Sequence, residues 1–131
     1  ENAGGSNNEV RVDRRFLTVH LTDIGQPTTY TIAAPMTGYV SQVFVSVGAA
    51  VNSSTGLKIS SGTTCAAGNG TQMTGGTIMF GSFGAAAGTV RSASMTGNNS
   101  INSATNICIG SDGAASNQVP AMATIVLDGN F

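Results

Sequence analysis

From Phe16 to Ile24 the side chains alternate: Leu17, Val19 and Leu21 occupy every second position, with Thr18, His20 and Thr22 between them. A period of two sends the two sets to opposite faces of an extended chain, so this stretch predicts a β-strand with one buried face and one polar face. The pattern recurs. Thr28 to Ala33 carries Tyr30 and Ile32 in phase, and Tyr39 to Val47 carries Val43, Val45 and Val47 with Phe44 and Ser46 between them. The latter is partly apolar on both faces, which fits an interior strand. Leu57-Lys58-Ile59 sets a lysine outward between two buried side chains. Thr77–Phe80, Thr89–Ala93, Asn106–Ile109 and Met122–Leu127 complete the set.

Turn signals separate these segments. Gly25-Gln26-Pro27 breaks the first strand, and two strands joined by so short a turn predict a hairpin. Ser60 to Gly76 is mostly Gly, Thr, Ala and Asn around Cys65, and reads as a surface excursion of the kind that often carries contacts in a binding protein. Gly81 to Gly88 reads either as a turn or as one ragged helical turn. Helix is otherwise disfavoured, because Leu occurs four times, Glu twice and Lys once among 131 residues. About eight short strands predict an all-β fold, a β-sandwich or barrel with the jelly roll as the leading eight-strand version. Closure of that kind limits exposed edges in a chain with few charges to guard them.

The length implies one domain. Residues 1–12 are expected as a flexible N-terminal arm, since ENAGGSNNE carries no large apolar side chain, and residues 13–131 as a single β-sandwich domain. Charged residues are only 8%, with five Lys and Arg against six Asp and Glu. So little positive charge argues against a nucleic-acid binder, and no apolar stretch is long enough to span a membrane as a helix. Surface polarity comes instead from Gly, Thr, Ser and Asn, which supply 59 of 131 residues. Weak charge repulsion removes one barrier to assembly.

Few residues carry chemistry. His20 is the single histidine and sits in the polar register of its strand, with no nucleophile–base spacing around it. Asp13, Asp23, Asp112 and Asp128 are scattered near expected strand ends and turns, and Asp112-Gly113 and Asp128-Gly129 read as turns rather than calcium loops. Cys65 and Cys108 match no zinc or redox spacing, which leaves one disulfide or two inert thiols. Neither an enzyme, a metal site nor a cofactor is expected. Trp is absent, and the two Tyr and five Phe fall mostly in apparent core register, which disfavours a lectin. The segment Val10-Arg11-Val12-Asp13-Arg14-Arg15 holds three of the five basic residues. Its plain reading is a solvated lead-in to a strand; its sharper one makes Arg11, Arg14 and Arg15 a contact to an acidic partner surface.

Asp13-Arg14-Arg15-Phe16-Leu17-Thr18-Val19-His20-Leu21-Thr22-Asp23-Ile24 resembles the opening of small all-β head proteins of tailed bacteriophages, the capsid decoration or cement proteins. Pro35 to Val43, Thr74 to Ile78, Ser111 to Ala115 and Val119 to Thr124 keep the same style in the same order. The resemblance implies a β-sandwich subunit that forms a small homo-oligomer, dimer or trimer, and clamps neighbouring major capsid proteins on the capsid exterior of the virion. An arm that orders on contact can lie along a neighbour, which makes residues 1–15 the first candidate for the capsid contact. Two other structural roles suit the same residues: a receptor-binding or fibre-tip module of a virion, and a fimbrial-type subunit. The latter fits less well, because strand donation needs alternating apolar residues that ENAGGSNNE lacks.

Overall fold

The structure, a computed structural model, describes residues 12–52, 55–63, 65, 71–80, 85–113 and 117–130. They form nine strands and no helix: β1 (Val12–Leu21), β2 (Pro27–Ala33), β3 (Gly38–Val47), β4 (Thr55–Gly62), β5 (Thr71–Phe80), β6 (Val90–Ser94), β7 (Ser100–Ile101), β8 (Asn106–Asp112) and β9 (Ala121–Asn130). One sheet, here sheet A, runs β1-β9-β3-β6, with β7 also paired to β3. The other, sheet B, runs β2-β8-β4-β5. Every pairing is antiparallel. With the two-residue β7 set aside, the first strand pairs with the last, the second with the next to last, and so on inward. That is a long hairpin rolled over on itself, the jelly-roll arrangement of a β-sandwich.

The inner faces follow the period of two. Sheet A contributes Leu21, Val43, Val45, Ala123, Ile125 and Leu127, sheet B contributes Leu57, Ile59, Met73, Ile107 and Ile109, and all are fully buried. Lys58 points outward between Leu57 and Ile59, as its register requires. Cys108 faces out of sheet B between Ile107 and Ile109, yet is buried, because it is disulfide-bonded to Cys65 with the Cα atoms 5.4 Å apart. The chain that follows β4 is therefore tied across the outer face of β8.

Several expectations are corrected. β1 and β2 are not a hairpin: β1 pairs with β9 and β2 with β8, in different sheets. Residues 22–26 form a corner between the sheets, with Ile24 fully buried in it. The corner is held by polar groups. Asp23 Oδ1 accepts the N–H groups of Gly25 and Val119, each at 2.9 Å. Ser111 Oγ donates to the Ile24 carbonyl at 2.6 Å, and a Cβ at Gly113 would collide with that same carbonyl. Asp23→Ala leaves two partly buried donors without an acceptor, so the urea midpoint should fall by the equivalent of about 2 kcal/mol, with Asp23→Asn keeping part of it.

The expected excursion from Ser60 to Gly76 is mostly strand, because β4 continues to Gly62 and β5 begins at Thr71. Small residues with little apolar content are sufficient there, since the ladder is made by the backbone and, among the described residues, Met73 fills the core. Asp128-Gly129 is not a turn but lies within β9. Of Gly81 to Gly88, residues 81–84 lie outside the described part; the remainder is a turn, with Thr89 N–H donating to Ala86 O and Gly88 at φ 89°. Val12, the last residue of the expected arm, already pairs with Asn130, and the other arm residues lie outside the described part. The sandwich also keeps its edges: β1 and β6 flank sheet A, β2 and β5 flank sheet B.

Candidate interaction surface

Residues opposite one another in an antiparallel sheet share a face, so the register writes out the outer face of sheet A row by row. The rows are Arg14, Asp128 and Tyr39; Phe16, Val126, Gln42 and Ser94; Thr18, Thr124, Phe44 and Ser92; His20, Met122, Ser46 and Val90. One ion pair lies at one end. From there to the far end the face carries no carboxylate, lysine or arginine.

Apolar groups occupy much of it. Phe16 is 67% exposed, Val90 55% and Met122 43%. Phe44 is half-buried, and Val126 is buried between its neighbours. An antiparallel sheet that faces water on one side normally alternates apolar-in with polar-out. Here β9 breaks that rule, with Met122 and Val126 out of phase with Ala123, Ile125 and Leu127. Among the described residues, the outer face of sheet B carries one exposed large apolar side chain, Met79, together with the exposed Lys58, Thr29, Thr31 and Thr77.

Of the three arginines singled out from the sequence, Arg11 lies outside the described residues. Arg14 and Arg15 are successive residues of β1 and so project to opposite faces. Both are exposed. Arg14 is engaged by Asp128 on β9, with Nε donating to Oδ1 at 2.8 Å and Nη2 to Oδ2 at 3.2 Å. These bonds hold the Asp128 carboxyl below the usual carboxylate range and raise the Arg14 guanidinium. A depressed folded value means the pair stabilises the fold above the unfolded aspartate range, and that contribution is lost as pH falls through the lowered value. Arg14→Ala should therefore lower the neutral plateau of a stability–pH curve slightly while leaving its acid end unchanged, so that the acid limb becomes shallower.

His20 lies on the outer face and lines a shallow depression of about 250 Å³ with Ser46, Gly48, Pro120, Ala121 and Met122. Three aspartates are committed: Asp23 to the corner, Asp112 to Gly56 N–H at 2.6 Å, Asp128 to Arg14. Among the described residues no three His, Cys, Asp or Glu side chains converge on a metal-sized site.

The aromatic residues require a further correction. Of those described, Phe80 alone is fully buried; Tyr30 and Phe44 are half-buried, and Phe16 and Tyr39 are exposed. Their register did signal this. Phe16 shares parity with Thr18 and His20, and Phe44 is out of phase with Val43 and Val45. What arrays these residues on one plane is the β1-β9-β3-β6 strand order. Set against known proteins, the chain matches no family model and no curated protein.

Proposed function

We propose that this chain is a structural virion protein, a decoration or cement subunit that binds the outer surface of a tailed-phage capsid and stabilises the major capsid protein lattice. The observation that carries the reading is the outer face of sheet A, a four-stranded surface with exposed Phe16, Met122 and Val90 and a single ion pair at its end. Exposed apolar side chains on a face with so little charge favour a contact site on that face. Arg14 stands at its rim. The sequence resemblance supplies the identity of the partner. The Cys65–Cys108 disulfide suits work outside a reducing cytosol, as on a capsid exterior. No reacting group is required, because a ligand that binds only the assembled lattice stabilises it by mass action.

The test is occupancy. Purified chain added to expanded tailed-phage capsids stripped of decoration should bind saturably and raise the temperature at which they come apart. Met122→Asp places a charge in the row that also holds Val90, the row farthest from the ion pair, and occupancy at subsaturating concentration should fall at least about tenfold, a change of about 1.4 kcal/mol, with the chain's own melting temperature unchanged. Absence of wild-type binding refutes the reading, and unimpaired binding by Met122→Asp removes this face from it.

A further inference from the structure

A β-sandwich has four edges, and three of these carry features that block pairing with another chain. β2 opens at Pro27, which has no N–H to donate. β5 has a register irregularity against β4 and Gly75 at φ 82°, and its Thr74 is already bridged to Gly97. β6 is five residues long and carries Arg91 in the inward register, opposite Val45. Short strands, proline, bulges and inward charges are the recognised means of blunting an edge.

β1 shares one of these, an inward-register charge at Arg15 opposite Leu127, but this stands near its start and nothing of the kind follows from Phe16 on. It is ten residues long, about 34 Å at the antiparallel rise, and pairs with β9 without a break from Val12 to Leu21. It contains no proline or glycine, and from Phe16 to Leu21 no charge. Among the described residues its other side has no strand.

We infer that β1 is a pairing edge whose occupant is β1 of a second copy, antiparallel about a two-fold axis at Phe16, which joins the two A sheets into one continuous sheet. Self-complementarity argues for this occupant. Faces match only when paired residues have the same parity, and an axis at Phe16 satisfies that while keeping nearly the whole strand in the ladder. It sets Phe16 against Phe16 of the second copy, a cross-strand aromatic pair that accounts for the most exposed large apolar side chain among the described residues. It also sets Arg14 against Thr18 and Arg15 against Leu17, so no arginine meets an arginine. An edge-to-edge contact of this kind is isologous and closes at two copies. The inference rests on the edge and is independent of the capsid reading.

Sedimentation of the free chain decides it. The wild type should show twice the 13.1 kDa of one chain, and β1 amides should exchange as slowly as those of β9. Thr18→Lys, at an exposed position, sets a lysine against Arg14 of the second copy and should give a folded monomer. Thr77→Lys, on the blunted β5 edge, should remain a dimer. Phe16→Cys should oxidise to a covalent dimer on a non-reducing gel, an outcome that decides the question if the Thr18 variant does not fold. A wild-type monomer or trimer, a dimeric Thr18→Lys, or a Phe16→Cys that never crosslinks overturns the inference. Capsid occupancy is read separately, so either proposal can fail alone.

Discussion

Breaking the Cys65–Cys108 bond, by reductant or by replacing both cysteines with alanine, is expected to lower the folding free energy by about 4 kcal/mol. The two cysteines are 43 apart in sequence, and the loop they close contains β5, β6 and β7. In the unfolded chain the bond forbids the conformations in which those ends are far apart, and its removal restores them. The folded sandwich needs the bond less, because β4 and β8 are already adjacent through the Ile59↔Ile109 and Ser60↔Cys108 register. Urea titrations with and without reductant should show a lower midpoint, together with a steeper dependence on urea as the unfolded state expands. A loss below about 1 kcal/mol would mean that the reduced unfolded chain already holds these ends together.

Phe80→Ala is expected to cost 3–5 kcal/mol, the usual range for emptying a buried aromatic site. Phe80 ends β5, an edge strand of sheet B, yet it is fully buried in the central cluster. Removing the ring leaves a void that the crossing sheets cannot close, since each neighbour is held in a strand. Phe16→Ala makes the control, because the same side chain two-thirds exposed on sheet A should change monomer stability by no more than about 0.5 kcal/mol. Chemical denaturation of the two variants side by side checks both values, and equal losses would contradict the assignment of inner and outer faces.

Much of this was open to reading in one dimension. Leu17, Val19 and Leu21 announced a strand because a side-chain period of two has one common structural cause, and the same held for Val43, Val45 and Val47. The jelly roll followed from counting such segments. β7 gave no signal, since two residues cannot show a period. β5 was half missed, because Thr71 to Gly76 bury little and are held by backbone bonds that any residue type can make. Asp128 reads as a turn because an aspartate before a glycine favours one, and its partner Arg14 is 114 residues away.

The sequence by itself determined that the chain is all-β, which residues of each strand share a face, and that its surface would be short of charge. Those properties are local, since they depend on parity and composition. Which strands lie side by side was decided only in three dimensions, because backbone pairing is indifferent to side-chain identity and a five-residue turn serves a hairpin and an inter-sheet corner equally well. The same tertiary choice placed Phe16, Phe44, Met122 and Val90 on one plane and left β1, among the described residues, with a strand on one side alone.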